Sequence, residues 1–169
     1  MSAFSAVRRG SRKVGKKLLL RSFAMFRLID PAVIEGATRQ KPLEMPPMKN
    51  VSYVAFVDPS GGGRDECGLA IGHREGGRLV IDVVRGLTGS PAEITCEYAA
   101  LLKKYGVRRV TGDRYAGAWP RDELLRFGVS YRPSELDRSS LYLEALAALN
   151  SGLVEWPPCK RPRCASLPP

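Results

Sequence analysis

The sequence predicts a mixed α/β sheet, with three antiparallel strands at its start and strand–helix–strand crossovers after them. Three observations carry this expectation. Three strand-length apolar runs stand close together between Val51 and Arg85, separated by glycine-rich breaks. At Ser90 the hydrophobic spacing changes from that of strands to that of a helix. Beyond that helix, short apolar runs alternate with helical stretches as far as Trp156. A chain of 169 residues, 44% hydrophobic and 26% charged, has room for one domain with a real core.

Taken in order, residues 1–29 form a basic arm. It holds Arg8, Arg9, Arg12, Lys13, Lys16, Lys17, Arg21 and Arg27 and no acid. A helix around Val14 to Phe26 is expected there, weakened by Gly10 and Gly15. Residues 30–48, with Pro31, Pro42, Pro46 and Pro47, read as a linker. The domain proper is expected over 49–156. Val51 to Asp58 is an unbroken apolar run that suits a strand buried on both faces, and Pro59 with the following glycines stops it. Cys67 to His73 and Arg78 to Arg85 are two further strands, joined as a hairpin through residues 74–77. Ser90-Pro91-Ala92-Glu93 combines an N-cap, a proline at the first helical position and a capping-box acid. Ile94, Tyr98, Leu101, Leu102 and Tyr105 follow at helical spacing until Gly106. Val107 to Asp113 is a strand, Pro120 to Phe127 a helix, Val129 to Arg132 a strand and Asp137 to Asn150 a helix. Leu153 to Trp156 is a last short strand. Residues 157–169 read as a disordered tail rich in proline, cysteine and basic residues.

The order β-β-β-α-β-α-β-α is that of the RNase H-like fold, with helices on both sheet faces. Asp58 and Asp113 close the first strand and the first strand after the crossover helix. If those strands are neighbours, both carboxylates emerge at one sheet edge, where ligands of open α/β sheets gather. Such a pair suits a hard divalent cation, Mg2+ or Mn2+, and phosphodiester hydrolysis. Taken singly, an aspartate before proline or glycine is also ordinary turn chemistry. Asp65 and Glu66 stand across the glycine loop, as a further ligand or as solvated loop residues. Asp82 is expected on the surface by strand alternation. Arg114, Tyr115 and Trp119 are candidates for DNA contact, the two aromatic residues by stacking on a base or else by packing the loop against the core.

Composition narrows the function classes. The formal net charge of +10 resides in the basic arm and in Lys160, Arg161 and Arg163 of the tail, which leaves the folded middle close to neutral. Attraction to a polyanion through the ends follows, and a basic groove across the domain does not. Cys67, Cys96, Cys159 and Cys164 lack zinc-site spacing, and the one histidine is His73. Cys67 and Cys96 read as small buried hydrophobes, and the cysteine usage suits a reducing cytoplasm. No apolar run has the length of a membrane span. The arm is like an organelle transit peptide in composition, but a basic arm is the simpler reading. Residues 10–17 come near a phosphate-binding loop. They place Lys17 where the magnesium-binding hydroxyl belongs and lack an entering strand, which argues against an ATPase.

Three phrases resemble the C-terminal nuclease domain of phage terminase large subunits. They are residues 53–62 (YVAFVDPSGG), residues 107–117 (VRRVTGDRYAG) with Trp119-Pro120, and Leu141-Tyr142 followed by residues 149–152 (LNSG). The resemblance runs from about Phe26 to about Trp156, and residues 42–47 resemble the segment that joins motor to nuclease in that family. It implies an RNase H-like nuclease that cuts concatemeric double-stranded DNA with magnesium or manganese during packaging. It also implies the terminase small subunit and the portal as partners, and the bacterial host cytoplasm as location. By this resemblance Asp58 and Asp113 are metal ligands, and Asp65 matches a further acid. The family's ATPase domain and its last helix, which carries a third carboxylate, have no counterpart here. The fold is therefore expected to be C-terminally incomplete, with one sheet face uncovered and cleavage weak or absent. Both ends read as foreign sequence around a family core, as a truncated prophage gene would give. The competing expectations are another RNase H-like enzyme, of resolvase or transposase type, and a non-enzymatic DNA-binding remnant.

Overall fold

Six strands form one sheet in the order β5-β4-β1-β2-β3-β6. They are β1 (Tyr53–Asp58), β2 (Cys67–Glu75), β3 (Arg78–Leu87), β4 (Arg109–Gly112), β5 (Ser130–Pro133) and β6 (Val154–Glu155). The helices are α1 (Pro31–Ala37), α2 (Pro91–Lys104), α3 (Trp119–Arg126) and α4 (Arg138–Asn150). The computed structural model describes residues 29–59, 66–114 and 119–158. The basic arm up to residue 28, with its expected helix, and the tail from residue 159 lie outside the described residues, as do Asp65 and Tyr115.

The first three strands make the expected antiparallel meander, and β4, β5 and β6 join it in parallel. The hairpin turn is tighter than its sequence suggested. Glu75 pairs with Arg78, so Gly76 and Gly77 alone form the turn, at φ values of 55° and 84°. Two successive residues in the left-handed region match the twist of the strands they join, and glycine adopts that region without strain. The capping box of α2 forms in both directions, Ser90 Oγ accepting from the Glu93 amide and Glu93 Oε2 accepting from the Ser90 amide.

The core lies on one sheet face. Ala55, Val57, Cys67, Leu69, Ile71 and Val83 pack beneath Ile94, Tyr98, Leu101 and Leu102 of α2 and Leu124 of α3. Burying each large aliphatic side chain contributes roughly 1.5–3 kcal/mol, so this layer carries most of the fold's stability. The Tyr98 hydroxyl donates to the Cys67 carbonyl, which ties α2 to the start of β2.

The opposite face differs from expectation. Strand β1 is not buried on both sides, since Val54 is 61% exposed. Val84 on β3 is likewise exposed. Leu141 of α4 lines a shallow groove there with Val54, Phe56, Ala70 and Ile81, but α4 has no fully buried residue. Among the described residues this face is only partly covered.

Two further expectations fail. Cys96 is exposed on α2, because residues 94, 98, 101 and 102 take the helix's inner stripe. Asp82 is fully buried rather than on the surface. Alternation misplaces it because the β2–β3 register slips: Ile71 pairs with Val83 but Gly72 with Ile81, leaving Asp82 as the extra residue of a bulge. Gly72 permits this close approach, since a Cβ there would lie 2.6 Å from the Val80 carbonyl oxygen. Nδ1 of buried His73 and Oδ2 of Asp82 share a hydrogen bond of 2.7 Å. Residues 39–48 cross this end of the sheet. Arg39 donates to the carbonyls of Ile81 and Asp82, Met45 N donates to Asp82 O, and Arg85 pairs with Glu44.

Candidate metal centre

Strands β1 and β4 are parallel neighbours, with Val57 opposite Gly112. One step further along, Asp58 and Asp113 stand at the carboxyl ends of adjacent strands. Strand alternation decides their direction. Ala55, Val57, Val110 and Gly112 are buried on the α2 side, so Asp58 and Asp113 project from the other face, the one bearing α4. Asp58 is exposed and the Asp113 side chain is 22% exposed, so a solute reaches both.

Glycines and a tyrosine fix the pair. A Cβ on Gly112 would lie 2.6 Å from the Val57 carbonyl oxygen, so only glycine lets β4 approach β1 this closely. Gly68 faces Asp58 across β2 and leaves its carboxylate room. The Tyr131 hydroxyl donates to the Asp113 carbonyl over 2.7 Å and anchors the backbone from β5. Burial first, then the nearby Asp113 and Asp58 charges, push that phenol up to about 12, so it remains a donor at neutral pH.

A cation completes the arrangement. The Asp137 carboxylate accepts from the Ser140 amide at 2.7 Å and caps α4. That cap sets Arg138 at the first helical position, and its Nη2 donates to Asp113 Oδ2 over 2.9 Å. The hydrogen bond to Asp113 raises the Arg138 guanidinium above its ordinary value, opposed by desolvation and helped by the charges of Asp113, Tyr142 and Asp58. Sequence reasoning missed this residue. It lies 25 positions after Asp113 in the chain, and no spacing rule connects a helix start to a strand end that distant.

The other candidates fall as follows. Arg114 turns its guanidinium onto the carbonyls of Ser134 and Glu135 and clamps the end of β5. The backbone of Trp119 opens α3. The carboxylate of Glu66 reaches over β3, where a Cβ on Gly86 would lie 2.9 Å from its Oε2. No cluster of three or more metal-ligating side chains occurs among the described residues. Two carboxylates at one strand edge fit a single hard cation that completes its shell with water, and supply too few oxygens for two cations.

No protein-family profile and no curated sequence matches this chain. Solved structures do. The large terminase nuclease of thermophilic phage G20c matches with a TM-score of 0.59 at 21% identity, covering 72% of this chain and 68% of that one. The nuclease domain of the P22 large terminase matches with a TM-score of 0.55 at 11% identity, over 73% and 68%. The HK97 large terminase matches with a TM-score of 0.57 at 15% identity, over 92% of this chain and 42% of that longer one. Among the described residues no helix is long and apolar enough to cross a membrane. The sheet order, the crossovers and these neighbours together give the chain the RNase H-like fold of phage large-terminase nuclease domains.

Proposed function

We propose that this chain is a metal-dependent DNA endonuclease domain of the large-terminase type, working in the bacterial host cytoplasm with reduced activity. One observation carries the reading: Asp58 and Asp113 project from the same sheet face at the carboxyl ends of adjacent parallel strands. Structures of similar fold support it, since the G20c nuclease has been solved with bound magnesium and with bound zinc. In this reading Asp58 and Asp113 hold one Mg2+ or Mn2+ ion, and Asp65 is a third ligand. When bound, such an ion supplies the electrophile that phosphodiester hydrolysis needs. Arg114, Tyr115 and Trp119 lie on the segment after β4 and flank the DNA. By the same likeness the terminase small subunit and the portal are partners.

Incubating supercoiled plasmid with the purified protein and manganese tests this. The expected result is slow nicking that stops with chelator and is lost in Asp58→Ala and Asp113→Ala. A second reading, a non-enzymatic DNA-binding remnant, is favoured by one observation: the net positive charge lies outside the folded middle. Salt-dependent DNA affinity that survives Asp58→Ala, vanishes on deleting residues 1–29 and comes without nicking would establish that reading instead.

A further inference from the structure

Among the described residues, Arg138 forms an ion pair with Asp113 of the candidate centre. Its guanidinium meets Asp113 Oδ2 at 2.9 Å, using an oxygen that a cation on the pair would need. Two carboxylates at adjacent strand ends repel each other, and a guanidinium between strand end and helix start relieves that repulsion. Three features suit Arg138 to leave again. Its side chain is 63% exposed, so it moves away without disturbing the core. It stands at the first position of α4, where the Asp137 cap holds the backbone whatever the side chain does. Its hydrogen bond to Asp113 is single rather than a two-pronged fork. Arg114, the next cation along the chain, is occupied by the carbonyls of Ser134 and Glu135 and does not take its place.

We infer that Arg138 is a built-in counter-ion of the Asp58–Asp113 centre, which a divalent cation must displace, so that this arginine sets the metal affinity of the site. The inference rests on the metal-centre reading above and adds the regulation of that site. Divalent binding and the arginine ion pair become mutually exclusive at Asp113. Removing the guanidinium takes away both the competitor and a positive charge next to the incoming ion. The exposed ion pair and the lost charge repulsion both favour the incoming ion once the guanidinium is gone. Arg138→Ala is therefore expected to bind manganese about three- to tenfold more tightly.

The test is a manganese titration of the whole chain, read from the paramagnetic resonance signal of the free ion, with no DNA present. Arg138→Ala should bind about three- to tenfold more tightly than the wild type. Arg138→Lys should stay near the wild-type affinity, and Arg138→Gln serves as a second neutral variant. Arg126→Ala removes an equal charge from a pair with Glu123 on α3, and should leave the affinity unchanged. Equal or weaker binding in both neutral variants overturns the counter-ion role. The metal-centre reading survives that outcome provided Asp58→Asn still abolishes binding. Absence of manganese binding in every variant overturns both.

Discussion

Gly112→Ala tests whether the contact between β1 and β4 is as tight as it looks. The added Cβ would sit 2.6 Å from the Val57 carbonyl oxygen, where real Cβ contacts stay beyond 3.0 Å. Val57 lies in the strand at the sheet's centre and cannot rotate aside, and the Tyr131 ring presses on the same point. Relief requires β4 to move by a few tenths of an ångström, and Asp113 moves with it. Overpacking of this kind costs about 1–3 kcal/mol, and contact with backbone argues for the upper half of that range. The alanine recovers about 0.4–1 kcal/mol through the unfolded chain, because Gly112 is not among the glycines with positive φ. The expected net loss is about 2 kcal/mol, a fall in Tm of roughly 6–10 °C for a domain of this size. Calorimetric melts measure it. Gly36→Ala is the internal control: that glycine lies in α1 with no atom within 4 Å of a new Cβ, and should stabilise slightly. A Tm change below about 2 °C for Gly112→Ala would refute the claim that glycine is needed to bring the two strand ends together.

Two more outcomes follow from the structure. His73→Phe strands Asp82 in the core, where removing one partner of a buried pair costs about 3–5 kcal/mol. The double variant His73→Phe with Asp82→Leu should recover much of this loss in urea denaturation, and a double variant no better than the single one refutes the pairing argument. At the start of α2, the Ser90 hydrogen bonds hold the Glu93 carboxyl below its ordinary range. A carboxyl depressed in the folded state stabilises fully above its unfolded value, and that support is lost as pH falls through the lower folded value. Glu93→Gln should therefore flatten the acid limb of the stability profile. An unchanged acid limb would show that the capping box does not carry that dependence.

The element order and the two aspartates were legible in the sequence because both rest on local chemistry. Ser90-Pro91-Ala92-Glu93 started α2, Gly106 and Gly128 ended helices, and Gly76-Gly77 turned the hairpin; each acts through its immediate backbone neighbours. Asp58 and Asp113 stood out because each closes a strand-length run; that those strands are neighbours was decided by the sheet, where β4 pairs with β1 and not with β3. What alternation could not show was the bulge. One extra residue in β3 moved Asp82 from the expected surface to a buried bond with His73, and a bulge is set by pairing with another strand rather than by the strand's own sequence. The exposure of Val54 on β1 was hidden in the same way, because an apolar run such as residues 51–58 states that a strand is hydrophobic, not how much of it a neighbour will cover. The chain by itself determined where strands and helices begin and which acids end them. Only tertiary structure decided what stands opposite those acids, since the arginine that meets Asp113 is brought there by the path of β5 and α4.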